Sequence, residues 1–387
     1  MFIDIACAQL KKHQQNACGD YFLSQRIPEA GRLLAVLSDG LGSGIKASIL
    51  AKMTATMLLR SLEKDIEIQK AAEILLHSLP VCKVRGISYA TFSVIDCDED
   101  GQVSIVEEGN PDFLLIRSGK HRPVEYQEIV SAARPERKLK TYQFQAELGD
   151  RLIFCSDGVT QAGMGDNPAY PRGFGKDGLL DKLAECLSAE QSLPSSALAK
   201  IIAQNAADIE PRGLPKDDIS ACVVYFRNPR EALLFTGPPY AQEKDTYYAI
   251  IFDEFAGKKA ICGGTTANII SRELDRPVST LPEPPSGSLP PISAMSGVDL
   301  ITEGILTLTR ALEYLEKDKL AEKDAAGHLV DFILQTDILR IMLGAKVNQA
   351  HYDPALPIEI EIRRNIVKKI AAVLTAKYFK KVEIQYI

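Results

Sequence analysis

Hydrophobic and polar positions divide the first part of the chain into short runs of two kinds. Runs rich in apolar and β-branched residues, bounded by turn residues, predict strands at 2–9, 20–27, 32–39, 87–96, 102–109, 112–119, 151–157 and 219–226. Other stretches repeat their apolar residues at helical spacing and predict helices at 45–64, 68–79 and 195–209. Strands clustered around helices in this order favour an α+β fold, a β-sandwich flanked by helices, over a parallel βαβ fold.

This pattern is interrupted at Arg227–Arg230, which predicts two domains, 1–227 and 228–387. In the second domain we expect strands at 231–236, 247–252 and 258–262, an extended proline-rich connection at 276–291, and helices at 298–315, 327–343 and 362–379. The mixture predicts an α/β or α+β domain. We expect it to regulate the first domain or to form a homo-oligomer.

Composition narrows the class of protein. The chain is 46% hydrophobic and 25% charged, which is typical of globular proteins. Its net charge of -6 and its lack of a long basic run argue against a nucleic-acid partner. No window approaches the roughly 18 apolar residues of a membrane span, and the first residues lack a signal peptide's apolar run. We therefore expect a cytoplasmic protein with no membrane association.

Cysteine and histidine do not form a metal site in this sequence. The eight cysteines are scattered without a CxxC pair, and several lie inside apolar runs, as buried reduced thiols do. The five histidines never occur at ligand spacing. A bound metal would therefore need oxygen ligands.

Four acidic points stand where predicted strands end and the chain must turn. They are Asp20, Asp39-Gly40, Asp157-Gly158 and Asp217-Asp218. Mg²⁺ and Mn²⁺ prefer carboxylate, carbonyl and water oxygens, so a cluster of aspartates suits them. A single Asp-Gly pair usually marks only a turn. The succession of all four around the predicted helices favours a metal site.

That succession resembles the type 2C metal-dependent protein phosphatases, and within them the SpoIIE-type bacterial branch. The motifs are G-D, S-D-G-x-G-S-G before a long helix, G-N-P, S-D-G again, and D-D-I-S before a closing strand, over about residues 1–227. The resemblance implies two sheets packed face to face between helices. It also implies a centre of two Mn²⁺ or Mg²⁺ ions, or three, at the sheet edge.

Roles carry over by motif. The resemblance implies that Asp39 bridges both metals and that the Gly40 carbonyl binds one of them. It implies that Asp157 and Asp217 hold the second metal.

Two further aspartates have less defined roles in the same resemblance. Asp20 would order the site directly or through water. Asp218 stands where many relatives have asparagine, and it would hold an additional metal or orient water. The DDIS motif leaves open whether Asp217 or Asp218 is the principal ligand.

Two metals can lower the pKa of a bridging water, so a hydroxide would attack phosphorus and no protein nucleophile is needed. The sequence agrees, since it has no Cys-x5-Arg loop and no G-x-S-x-G motif. We expect hydrolysis of phosphoserine and phosphothreonine in proteins. The resemblance implies bacterial signalling, with an anti-sigma-factor antagonist as the type of substrate. The alternatives are a catalytically silent sensor or scaffold, and a phosphatase of a small phosphorylated metabolite.

Two glycine-rich segments have rival interpretations. The segment 39–48 could cradle phosphate at a helix start, but it lacks the GK[ST] of a Walker motif. In the second domain, Gly263–Thr266 follow a predicted strand and precede a helix. Free amides there could bind an anion, whereas an N-cap threonine would explain the same residues without a ligand. We favour the second interpretation.

Overall fold

A computed structural model of the protein describes residues 1–78, 90–130, 137–280, 289–317, 324–344 and 356–387. The chain divides into two compact units, Met1–Asn228 and Pro229–Ile387. In the described ranges, no helix combines the length and the apolar character needed to cross a membrane.

The first unit alternates strands with two pairs of longer helices. In chain order it contains β1 (Phe2–Leu10), β2 (Asp20–Ile27), β3 (Arg32–Gly40), α1 (Ile45–Leu62), α2 (Ile68–Ser78), β4 (Ala90–Asp98), β5 (Gln102–Glu108), β6 (Leu114–Arg117), β7 (Lys120–Arg122), β8 (Gln127–Val130), β9 (Lys138–Gln145), β10 (Arg151–Cys155), α3 (Asp157–Thr160), α4 (Gly175–Ala189), α5 (Ser195–Ile209) and β11 (Ile219–Arg227).

These strands form two antiparallel sheets that pack face to face. One sheet has the order β1-β11-β10-β6-β7 and the other the order β2-β3-β4-β5-β9-β8. An apolar core lies between the sheets, a second joins one sheet to α4 and α5, and a third joins the other sheet to α1 and α2. The predicted α+β sandwich flanked by helices is therefore confirmed.

Strand β3 shows why the sequence forms a middle layer. Successive side chains of a strand point to opposite faces, and both faces of β3 are covered. Leu33, Ala35 and Leu37 enter the core between the sheets, whereas Leu34 and Val36 pack against the helices α1 and α2. A continuous apolar run is the pattern expected for such a doubly buried strand.

Some elements of the first unit were not predicted. Helix α4 lies in a segment with two glycines near its start, and β7, β8 and β9 are polar at every second position or very short. The predicted strand 87–96 begins in residues outside the described ranges, and its described part lies in β4.

The second unit begins with a strand and alternates strands with helices. In chain order it contains β12 (Glu231–Thr236), α6 (Asp245–Glu254), β13 (Lys258–Cys262), α7 (Gly264–Leu274), β14 (Ser279–Thr280), β15 (Ser293–Met295), β16 (Val298–Thr302), α8 (Ile305–Lys317), α9 (Ala325–Leu334), β17 (Ile338–Leu343), α10 (Leu356–Tyr378) and β18 (Lys381–Tyr386).

Its single sheet has the order β14-β15-β16-β13-β12-β17-β18. The last five strands in this order are parallel to one another, and β15 is antiparallel to β16. Helices α6 and α7 cover one face, while α8, α9 and α10 cover the other. The order of the parallel strands reverses direction beside β12, as in doubly wound α/β folds.

Three predictions for the second unit are wrong. Residues 247–252 form part of the helix α6, because Tyr248, Ala249 and Phe252 are buried at helical spacing. The expected helix 298–315 is the strand β16 followed by α8, since Glu303-Gly304 separates them. The expected helix 327–343 is α9 followed by β17.

The break between α9 and β17 has a specific cause. The buried carboxylate of Asp337 accepts a hydrogen bond from the Arg230 amide at 2.7 Å, which ties the start of β17 to the start of β12.

The central part of the proline-rich connection, 281–288, lies outside the described residues. So does Cys82, while the other seven cysteines are free thiols.

Gly40 controls how α1 meets the end of β3. A Cβ atom at this position would lie 2.1 Å from the backbone oxygen of Ala47 in α1. We expect Gly40→Ala to destabilise the first unit by about 3 kcal/mol, because backbone atoms on both sides would have to move. Urea denaturation of the full chain measures this.

Gly42→Ala is the matched control for that substitution. Gly42 has a φ of 101° and no atom within 4 Å of its would-be Cβ. It should lose only about 1 kcal/mol, from backbone strain alone. Equal losses for the two variants would show that the contact with α1 is not tight.

Candidate metal centre

Asp20 and Asp39 lie on neighbouring strands of one sheet. Asp20 begins β2 and Asp39 is the next-to-last residue of β3, and the antiparallel register makes them direct partners. Side chains paired across neighbouring strands lie about 5 Å apart at their Cβ atoms. The sheet therefore brings the first two predicted acidic points together.

Asp157, Asp217 and Asp218 lie at the edge of the other sheet. Strand β10 ends at Cys155, and its antiparallel partner β11 begins at Ile219. The Ser156 amide continues the pairing by donating to the Ser220 carbonyl at 3.0 Å. The second S-D-G turn and the D-D pair are therefore adjacent.

Hydrogen bonds join the two sheet edges directly. The Ser220 hydroxyl donates to Asp20 Oδ2 at 2.6 Å, and the Gly19 amide donates to Asp218 Oδ2 at 2.8 Å. All four acidic points of the sequence thus lie at one rim of the sandwich.

Burial and mutual repulsion raise the pKa values of these carboxyl groups. The pKa of Asp39 rises to about 9, mainly through burial and then through the carboxylates of Asp20 and Asp157. The pKa of Asp20 rises to about 7, again mainly through burial, although the Ser220 hydroxyl opposes the shift. Burial also raises the pKa values of Asp157 and Asp217.

Asp217 and Asp218 have different surroundings. Asp218 is 3% exposed, and its two carboxylate oxygens accept from the Lys12 amide at 2.9 Å and the Gly19 amide at 2.8 Å. Asp217 is less buried and accepts from the Asp218 amide at 2.9 Å. The Asp218 carboxylate therefore fastens the chain between β1 and β2, while the Asp217 carboxylate keeps one oxygen without a hydrogen bond from the described residues.

Gly158 fits the close packing at this rim. A Cβ atom on Gly158 would lie 2.1 Å from the Asp218 carbonyl oxygen. The glycine that follows Asp157 thus has a steric reason: α3 can begin beside the start of β11 only without a side chain here.

The donor set fits a hard divalent cation. Asp20 is 2% exposed, and its Oδ1 atom is buried without a hydrogen-bond partner among the described residues. A positive charge would stabilise the ionised forms of the surrounding carboxyl groups. In the described ranges no three acidic, thiol or imidazole groups converge closely enough to enclose one ion. Mg²⁺ usually binds through one or two carboxylates and keeps several waters. Two aspartates of this rim are therefore enough to hold one ion.

Sequence reasoning missed Gln161 and Ser220, two polar residues that position the aspartates. The side-chain amide of Gln161, which lies one turn after Asp157 in the chain, donates to Asp157 Oδ2 at 2.8 Å. The Ser156 hydroxyl accepts from the Ser220 amide at 3.0 Å. Ser220, the serine of the D-D-I-S motif, could have been recognised from the sequence. It stands two residues after Asp218, so it lies at the same sheet edge.

The glycine-rich segment of the second unit is capped differently from the expectation. Gly263 is the N-cap residue of α7, with a φ of 136° and no side-chain hydrogen bond to the helix. Thr265 and Thr266 lie inside the first turn, so the predicted N-cap threonine is wrong. The Glu303 carboxylate lies beside Gly264.

We expect the metal-free protein to lose stability as pH rises. Asp39 has a pKa of 3.8 when unperturbed and of about 9 in the fold, so between these values the folded state holds a proton that the unfolded state releases. Asp39→Asn removes this group. In chelator it should exceed wild type in unfolding free energy above pH 9 by at least about 1 kcal/mol.

Thermal denaturation in chelator across that pH range measures the difference. The exposed Asp181 supplies the control, since Asp181→Asn should follow wild type at every pH. A parallel decline in wild type and Asp39→Asn would contradict the account of the Asp39 environment.

Most of the first unit matches a known protein family. A family profile described as Stage II sporulation protein E (SpoIIE) matches residues 29–227. None of the curated proteins matches the chain.

Solved structures match the chain at low sequence identity. The phosphatase domain of SpoIIE from Bacillus subtilis, with a fragment of its regulatory domain, is 19% identical with a TM-score of 0.47. The match covers 58% of this chain and 63% of that one, so this chain spans less than two thirds of its length. The RsbU and RsbW domains of a Mycobacterium tuberculosis protein are 20% identical with a TM-score of 0.46, over 65% of this chain and 67% of that one.

The family profile covers more than half of the 387 residues and includes Asp39, Asp157 and Asp217. The chain belongs to the SpoIIE-type branch of the type 2C protein phosphatase family.

Proposed function

We propose that the first unit is a Mn²⁺- or Mg²⁺-dependent phosphatase that removes phosphate from phosphoserine and phosphothreonine in a protein substrate. The observation that carries the proposal is the meeting of two Asp-bearing sheet edges at one rim. Hydrogen bonds from Ser220 to Asp20 and from Gly19 to Asp218 hold those edges together.

Asp39, Asp157 and Asp217 would hold the metal ions in pairs through their carboxylates, and Gly40 would contribute its carbonyl. Metal ions bound there would supply an activated water and neutralise phosphate oxygens. Of the two adjacent aspartates, we assign Asp217 as the ligand, because both oxygens of Asp218 are already occupied by backbone amides.

Polar residues beside the proposed metal ligands orient their carboxylates. Gln161 fixes one oxygen of Asp157, so its other oxygen faces a defined direction. The Ser220 hydroxyl fixes one oxygen of Asp20 and leaves Oδ1 available. Asp218 fastens both ends of the β1–β2 connection to the rim through the amides of Lys12 and Gly19.

The cysteines near this rim are poor nucleophiles. Burial raises the pKa of the Cys155 thiol to about 12. Burial, followed by the carboxylates of Asp20 and Asp218, also raises the pKa of the Cys18 thiol. Neither forms a thiolate at neutral pH, which supports attack by water over covalent catalysis by cysteine.

The substrate we favour is a phosphorylated signalling protein resembling an anti-sigma-factor antagonist, as the family suggests. The match to the SpoIIE family profile supports a phosphorylated protein over a small metabolite.

Phosphate release from a phosphoserine peptide tests the proposal. Turnover should need Mn²⁺ or Mg²⁺ and stop in chelator. Asp157→Asn and Asp217→Asn should each lower kcat/KM by at least about 100-fold, since even the groups that only orient metal ligands matter 10- to 100-fold. Asp181→Asn should match wild type.

The rival functions give different results in the same assay. A silent sensor would show a metal-induced rise in Tm without any phosphate release. A metabolite phosphatase would prefer free phosphoserine to the peptide. Either result would contradict the proposal.

A further inference from the structure

A second polar cavity lies away from the acidic rim. Its volume is about 580 Å³, and it is bounded by the β6–β7 hairpin, the turn before β10, the end of α4 and the strand β11. Arg151 and Lys120 are among its lining residues, together with the serines 118, 188 and 192. We call it the Arg151 cavity.

Arg151 is an unusual side chain in this position. It is 2% exposed, although arginine is almost never fully buried without a charged partner. Its guanidinium stacks 3.5 Å from the centroid of the Tyr225 ring, and Nη2 donates to the Gln191 carbonyl at 3.0 Å. Nη1 is buried and has no hydrogen-bond partner among the described residues.

The surroundings compensate this charge only in part. The carboxylate that favours the charged form of Arg151 is Asp4, whose Oδ2 atom already accepts from the Ser195 amide and pairs with Arg227 at 3.5 Å. The Gln191 carbonyl and the C-terminal end of α4 add partial negative charge. Burial still lowers the pKa of Arg151, which means that its charge is incompletely solvated.

The rest of the cavity lining adds one positive charge. Lys120 supplies a second cation, and none of the described lining residues carries a carboxylate. The three serine hydroxyls add donors. Two cations match the two negative charges of a phosphate group, and a guanidinium can donate to two of its oxygens at once. A carboxylate would leave one positive charge and several donors unused.

We propose that the Arg151 cavity binds the phosphate group of a small molecule, either inorganic phosphate or a phosphate monoester. Arg151 would form the floor of the site, and Lys120 with the serine hydroxyls its rim. An uncompensated buried charge is unfavourable, and a bound anion would complete its pairing.

This site is separate from the candidate metal centre. Strand β10 runs from Arg151 to Cys155, and Asp157 follows two residues later. An extended strand rises about 3.3 Å per residue, so the cavity and the acidic rim lie roughly 20 Å apart at opposite ends of β10. The proposal therefore does not depend on the proposed phosphatase function.

Calorimetric titration of the full chain in chelator tests the proposal, because without metal the acidic rim repels phosphate. Wild type should bind inorganic phosphate or glycerol 3-phosphate at one site. The ligand that binds more tightly shows whether the cavity takes free phosphate or a phosphate monoester. Arg151→Met should weaken binding at least about tenfold. It should melt no lower than wild type without phosphate, since it replaces a buried charge with an apolar side chain.

Two exposed lysines complete the design. Lys120→Gln should weaken phosphate binding several-fold without affecting folding, and it decides the matter if Arg151→Met fails to fold. Lys64 lies just beyond α1, which packs on the other sheet, and Lys64→Gln should bind as wild type does. The proposal is overturned by no binding up to about 10 mM phosphate, by unchanged affinity in Lys120→Gln, or by equally tight binding of acetate.

Discussion

Repulsion among buried and half-buried carboxylates is the constraint on which the first unit depends. Asp20, Asp39, Asp157 and Asp217 come from two sheets, and burial raises the pKa of each. Such a cluster costs stability unless a cation or protons neutralise it. The sandwich tolerates the cluster because its three apolar cores lie around it and because serine, glutamine and backbone donors hold the individual oxygens.

The sequence was most informative where local pattern and tertiary structure agree. Strand β3 is apolar on both faces and could be predicted, as could the helix after it. Residues 247–252 show the opposite case, since aromatic and β-branched residues favour a strand but burial at helical spacing makes them α6. The chain from 298 to 315 reads as one apolar helix, yet its first five residues form β16, whose last three residues pair with β13.

The candidate site divides in a similar way. The aspartates and Gly40 could be named from motif order, because each precedes or follows a recognisable turn. The different surroundings of Asp217 and Asp218 could not be predicted, since they depend on amides of Lys12 and Gly19, about 200 residues away in the chain. Arg151 reads as an ordinary strand residue. Only the fold shows that its guanidinium is buried and that its Nη1 atom has no hydrogen-bond partner among the described residues.

The central claim is that the acidic rim is a divalent-metal centre. Anomalous X-ray scattering from crystals of the full chain soaked in Mn²⁺ tests it most directly. The account predicts anomalous density beside the carboxylates of Asp39, Asp157 and Asp217, and its loss in Asp39→Asn crystals. Manganese bound elsewhere, with none at this rim in wild type, would contradict the account.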